Sequence, residues 1–164
     1  MSNLRMYMPL TDLDRFIETL GLMAIVLIVS LPLYFYGSLP SRIPLTFGED
    51  GMILLFVHRW IVWLVSVLGL ALYCGLAFLS RRPYYIDYPL PIDKQNAKAQ
   101  YTLSARFIRV YNVLFICFFS FLCLELMRAA HYRSLGIQQE WLALAYIFSA
   151  FYFSLYIYCA KKMG

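Results

Sequence analysis

Four apolar runs govern what this chain can fold into: Phe16 to Gly37, Trp60 to Leu79, Phe107 to Met127 and Trp141 to Ala160. Each is about the 20 residues that an α-helix needs to cross a hydrocarbon core roughly 30 Å thick. Lipid offers the backbone no hydrogen-bond partners, so such runs must form helices that satisfy their own amides. The chain is 62% hydrophobic and 14% charged, whereas a soluble domain averages about 45–50% apolar and about 25% charged residues. A soluble globular protein is thereby excluded. The connections at 38–59, 80–106 and 128–140 are too short to build a core of their own. The expected fold is an all-α membrane protein, one domain over 1–164, with four transmembrane helices in an antiparallel bundle.

The net charge of +5 would suit a polyanion partner if the basic residues formed one patch, and they do not. Ten of the 14 fall on the side of the N-terminus, among them Arg15, Arg81, Arg82, Lys98, Lys161 and Lys162. Arg42, Arg59, Arg128 and Arg133 fall on the other. Loops rich in Lys and Arg stay in the cytoplasm, which predicts cytoplasmic termini, an outer loop at 38–59 and an inner one at 80–106. No nucleic-acid partner is expected; the surrounding partner is membrane lipid. Tyr36, Trp60 and Trp141 at one level, with Tyr84, Tyr88 and Tyr101 at the other, give the two aromatic belts of a membrane protein. The first apolar run is too long for a signal-peptide core and lacks a small-residue cleavage site, so it reads as a retained helix. Cys74, Cys117, Cys123 and Cys159 all lie in spans without C-x-x-C spacing and read as small apolar residues.

Local signals set the boundaries. Thr11 and Asp14 have the spacing of a capping box, placing the first helix start near Leu13, with Pro32 kinking its outer end. Pro40 and Pro44 extend the outer loop, and Gly48 and Gly51 allow turns. Met52 to Val57 is apolar, lying along the outer interface or lengthening the second helix outward. Arg81 to Pro91, rich in Pro and Tyr, reads as extended chain against the headgroups. Asp93 suits an N-cap for a helix from Lys94 to about Ala130, uninterrupted by Gly or Pro. The third helix thus projects into the cytoplasm.

The outer segment Leu39-Pro40-Ser41-Arg42-Ile43-Pro44-Leu45-Thr46-Phe47 resembles the L-P-x-x-I-P-x-H-F signature of the SdpI-like bacterial membrane proteins. The inner run Tyr88-Pro89-Leu90-Pro91-Ile92, then Asn96-Ala97 and Gln100-Tyr101, is similar to that family's Y-P-V-x-I-x-x-x-N-A-x-x-Q-Y pattern. Together the matches cover nearly the whole chain. The resemblance implies a bacterial inner-membrane protein of the toxin-immunity type. It also marks Leu39, Pro40, Arg42, Ile43, Pro44, Phe47, Arg59, Pro89, Pro91, Asn96, Gln100 and Tyr101 as candidate interaction residues. Thr46 replaces the family's histidine and Leu54 its acidic residue, while Arg59 keeps the positive charge. No titratable outer site is therefore carried over.

Ionisable residues in membrane segments are functional suspects, and here they sit at the edges. Glu18 can pair with Arg15, Arg106 or Arg109, and Glu125 with Arg128 or Arg59. No second buried acid accompanies Glu18 as a proton relay requires, so these read as structural ion pairs. His58 and His131 lack metal-ligand spacing, and neither lies within a span as a haem ligand must. No metal, cofactor or catalytic residue is expected. The aromatic residues Phe115, Phe118, Phe119 and Phe121, with Phe148, Tyr152 and Tyr156, read as helix packing or lipid contact, or as a lipid or quinone groove. The leading expectation is a non-enzymatic immunity or signal-relay protein working through its two loops on a membrane protein or a secreted toxin or peptide. The alternative is a structural accessory subunit of a larger complex. An oligomeric transporter or channel subunit is disfavoured by the uncharged mid-membrane positions.

Overall fold

The computed structural model describes residues 10–47, 53–86, 88, 92, 95–132 and 139–162. Four helices, α1 (Asp12–Phe35), α2 (Ile61–Ser80), α3 (Ala97–Tyr132) and α4 (Gln139–Lys162), are long and apolar enough to cross a membrane. The protein is a multi-pass membrane protein. The capping box opens α1 as its spacing predicts: Asp14 N donates to Thr11 Oγ1 at 3.3 Å, and Thr11 N donates to Asp14 Oδ2 at 3.0 Å. Pro32 lies inside α1, which passes into a 3-10 turn, η1 (Tyr36–Ser38). With 36 residues, α3 is about 54 Å long at 1.5 Å per residue. It overshoots a hydrocarbon core of about 30 Å, as the absence of Gly and Pro predicts. It starts at Ala97 rather than Lys94; the Asp93 cap lies outside the described residues, as do Pro89 and Pro91.

Two expectations need correction. The fold is not all-α: Arg42–Phe47 and Ile53–His58 form strands β1 and β2, an antiparallel hairpin with Arg42 opposite His58 and Ile43 opposite Val57. Ile53-Leu-Leu-Phe-Val-His58 therefore does not lengthen α2, which starts at Ile61. Its β-branched and aromatic residues favour a pleated surface. Pro44 is tolerated because β1 has a free edge and its register shifts there. On the other side, Pro83–Tyr85 is a 3-10 turn, η2, rather than extended chain. Proline at its first position presets the backbone angle, and Ile86 N closes it on Pro83 O at 3.2 Å.

Lipid tails are as apolar as leucine, so helices in a bilayer associate through close approach and hydrogen bonds between small or polar residues. The burial pattern follows that rule. Ser66, Gln100, Ser104, Asn112 and Ser120 are buried, while Leu22, Met23, Val26, Leu33 and Phe151 are exposed. A Cβ on Gly21 would meet Tyr73, and one on Gly69 would stand 2.8 Å from Ile28 Cδ1 and 3.0 Å from Phe119 Cβ. Ser66 Oγ lies within donating distance of the Ile28 carbonyl, 3.1 Å away on α1, and of the Val62 carbonyl, 3.0 Å away on its own helix. Asn112 Nδ2 donates to Tyr73 O at 3.1 Å. Along the packed helices Ile28 and Gly21 of α1 meet Ser66 and Tyr73 of α2, and Gln100 and Phe121 of α3 meet Ala160 and Trp141 of α4. The expected bundle of four is nevertheless three closely packed helices, α1 to α3, with α4 beside α3. Only 6% of the apolar window of α4 is buried inside the protein, against 33% of that of α1.

Candidate functional site

At the hairpin end of the helices, the chain builds an ordered surface from the segment the sequence singled out. Leu39 and Ile43 are buried in one cluster with Leu31, Val62, Cys123 and Leu126. They peg the hairpin between α1, α2 and α3. Pro44 is buried too, while Pro40 and Arg42 are exposed. Phe47 closes β1 opposite Ile53. Arg59 ties the base of the hairpin to η1 and the residue after it: its guanidinium donates to Leu39 O at 3.4 Å and lies 4.7 Å over the Tyr36 ring. Its backbone N donates to Ser41 O at 3.1 Å. Isolated two-stranded hairpins are marginal in water, so these pegs decide whether the hairpin holds its shape. Leu54, Leu55 and Phe56 on β2 remain exposed at 69%, 49% and 51%. The result is an apolar strand that, among the described residues, pairs with β1 and with no further strand.

At the other end lies an ion-pair cluster. Arg106 Nε and Arg109 Nη1 reach Asp14 Oδ1 at 3.3 and 3.0 Å, and Arg109 Nε stands 3.5 Å from Glu18 Oε1. The pairing of Glu18 with Arg109 follows the sequence reading. Asp14 was legible there only as a helix cap, yet it is the acid that joins both arginines, with a side chain 4% exposed. Its spacing to Glu18 is i to i+4, which puts both acids on one face of α1. That was the available signal. Glu125 pairs with Arg128 at 2.7 Å, whereas Arg59, the other partner considered for it, serves the hairpin base.

The inner motif residues contact this same chain. Gln100 Nε2 donates to Ala160 O at 2.8 Å, joining the start of α3 to the end of α4. Tyr101 is buried against the Tyr88 ring at 5.4 Å. Tyr88 donates to Pro83 O at 2.8 Å, and its burial pushes the phenol above its ordinary value. Asn96 O accepts the first α3 turn from Gln100 N at 3.0 Å. The aromatic residues of α3 and α4 divide in two. Tyr152 and Tyr156 both stand 4.5 Å from the Phe107 ring and are helix packing. Phe115, Phe118, Phe121 and Phe148 line an apolar groove of about 610 Å³ where the two helices part, with Trp141 against Phe121 at 5.5 Å. Among the described residues no group of three or more His, Cys, Asp or Glu side chains is placed to hold a metal. No family model, curated protein or solved structure matches the chain.

Proposed function

We propose that this multi-pass protein is a non-enzymatic component of a bacterial inner membrane, of the SdpI-like type, acting in immunity or signal relay through its outer β-hairpin. In this reading both termini and the start of α3 face the cytoplasm, as the distribution of basic residues favours. The observation that carries it is the hairpin itself: pegged into the helices by Leu39 and Ile43, it keeps Leu54, Leu55 and Phe56 exposed on one strand. A preordered apolar strand with an open edge suits an extended segment of a secreted toxin or a membrane partner, which would add to the sheet through its backbone. Leu54→Lys and Phe56→Glu, both at exposed positions, should abolish protection against the toxin, or recovery of the partner, while leaving the melting temperature in detergent unchanged. Unaltered protection in both variants would sink the proposal, and a reporter active outside the cell when fused after Lys162 would sink the topology.

A structural accessory role is the second reading, favoured by how little of α4 the rest of the protein covers. Its exposed Tyr146, Ile147 and Phe151 would then be covered by another membrane subunit. Native mass spectrometry that finds the protein alone would count against it.

A further inference from the structure

Away from the hairpin, a cavity of about 140 Å³ opens between α1, α2 and α3 beside the ion-pair cluster. Its apolar wall includes Leu22 and Ala77, and its polar wall includes Glu18, Arg81, Arg109 and Asn112. Two buried polar atoms on that wall have no hydrogen-bond partner in the protein: Asn112 Oδ1 and Arg109 Nε. Asn112 is 4% exposed, and its orientation is fixed because only the amide nitrogen can donate to the Tyr73 carbonyl. The unmet atom is thus an acceptor. Arg109 already gives Nη1 to Asp14, and its Nε lies within ion-pair range of Glu18 without meeting hydrogen-bond geometry. Among the described residues no carboxylate lies within ion-pair distance of Arg81, which caps the end of α2. An unmet buried polar atom costs about 1–3 kcal/mol, so a wall with two of them is shaped for something polar.

The wall fixes the chemistry of that ligand. Arg81 and Arg109 call for an anion with several acceptor oxygens, as phosphate has. Glu18 and the Asn112 carbonyl call for a cation with N–H donors. Asp14 adds no free charge, because it is occupied by Thr11, Arg106 and Arg109. A zwitterion carrying both groups satisfies all four residues. A quaternary ammonium has no N–H for Asn112, and a phosphoglycerol has no cation for Glu18. Arg81 follows directly on the apolar span Ile61–Ser80, the level at which lipid phosphates lie. One water occupies roughly 10–15 Å³ of such space, so the cavity has room for a headgroup and none for acyl chains. The chains would leave past Leu22, which is 59% exposed. We propose that this cavity binds the phosphoethanolamine headgroup of a phospholipid in the leaflet at the Asp14 end of the helices. The proposal rests on the membrane-spanning reading and is independent of what the hairpin binds.

Full-length protein, delipidated in mild detergent, is titrated with phosphatidylethanolamine, phosphatidylcholine, phosphatidylglycerol and soluble phosphoethanolamine, and bound species are counted by native mass spectrometry. One phosphatidylethanolamine per chain is expected, bound about tenfold or more tighter than the other two lipids, since each ionic hydrogen bond is worth at least that factor. Arg81→Gln, at an exposed position, should weaken that binding about tenfold without shifting the melting temperature of the lipid-free protein. Glu18→Gln should erase the preference over phosphatidylglycerol. Equal binding of the three lipids, or wild-type affinity in Arg81→Gln, overturns the proposal. Soluble phosphoethanolamine binding as tightly as the lipid overturns the lipid as source, and a high-resolution map with only water in the cavity overturns the site.

Discussion

A close approach of α2 to both of its neighbours sets up a test with an internal control. Gly69 and Gly75 both lie in α2, but a Cβ on Gly69 would stand 2.8 Å from Ile28 Cδ1 and 3.0 Å from Phe119 Cβ, whereas one on Gly75 would have nothing within 4 Å. Replacing either glycine by alanine brings the same helix-propensity gain, about 1 kcal/mol in soluble hosts, so the comparison cancels that term whatever its value in lipid. Steric cost separates the two. Ile28 could turn its terminal methyl, but it is fully buried beside Ala24 and Ile116 and has little room to do so. Phe119 Cβ is fixed to the α3 backbone, so the helices must part. Overpacking of this kind costs about 1–3 kcal/mol. Gly69→Ala should therefore be less stable than Gly75→Ala by about that amount, or about 2–4 °C in melting temperature per kcal/mol for a chain of this size. The assay is thermal unfolding of both purified variants in the same detergent. Equal melting temperatures would refute the view that Gly69 is required by contact with α3.

The ion-pair cluster should be more sensitive than the pair on the hairpin side. Asp14→Asn leaves Arg109 without its carboxylate, and breaking a buried pair costs about 3–5 kcal/mol; the lower end applies because Arg106 is 38% exposed. Arg128→Ala removes a partner that is 64% exposed but leaves the Glu125 carboxylate, 11% exposed, without it, so its cost in thermal unfolding should be about 1–3 kcal/mol, below that of Asp14→Asn. Ile43→Ala empties a fully buried position at about 2–5 kcal/mol, and hydrogen exchange should show β1 and β2 losing protection before the helices. Tyr88→Phe removes the bond to Pro83 O, about 0.5–1.5 kcal/mol. Because burial raises the Tyr88 phenol from its usual 10.0, wild-type protein gains stability from it below that pH and loses it as pH climbs above. The Phe variant should lack this alkaline step in a pH series of melting temperatures.

The helices were legible because their signal is length and hydropathy, which no tertiary contact overrides in lipid. The Thr11–Asp14 cap was legible for the opposite reason: it is local, four residues read in order. The hairpin was missed because Pro40, Pro44, Gly48 and Gly51 are loop residues by any local rule, and an apolar run of six residues reads equally as strand, helix extension or interface. What selects the strand is pairing with Arg42–Phe47 and the seating of Ile43 among Val62, Cys123 and Leu126, contacts between residues far apart in sequence. The same limit hid the second role of Asp14. A carboxylate one turn before Glu18 announces a cap, but that two arginines roughly 90 residues later converge on it depends on α1 and α3 lying side by side. The sparse burial of α4 was hidden as well, since a helix somewhat less apolar than its neighbours is still long and apolar enough to cross a membrane, and nothing in that content says which helices cover it.

Immunity and relay make different demands on α3, and the structure allows them to be told apart. A protein that only occupies a toxin needs a stiff hairpin and nothing beyond it. A relay needs an element with two arrangements whose balance the outer ligand shifts. The helix able to carry a shift is α3, because one end packs against the hairpin through Leu126 and Met127 and the other supplies Arg106 and Arg109 to Asp14. No Gly or Pro interrupts it to absorb a tilt. Between the two ends α3 meets α2 at the tight Gly69–Phe119 contact, the natural fulcrum. A small outward tilt of the hairpin end about that point must move Arg106 and Arg109 against α1, and ionic hydrogen bonds weaken steeply with misalignment. Under the relay reading, a ligand on β2 should raise hydrogen exchange in the first turns of α1 around Asp14, and Gly69→Ala, by prising the fulcrum open, should raise it without ligand. Under pure immunity the ligand should protect β2 and leave the exchange at Asp14 unchanged. Hydrogen-exchange mass spectrometry on the ligand-bound and free protein decides between them, and protection confined to β2 would remove the relay from the proposal.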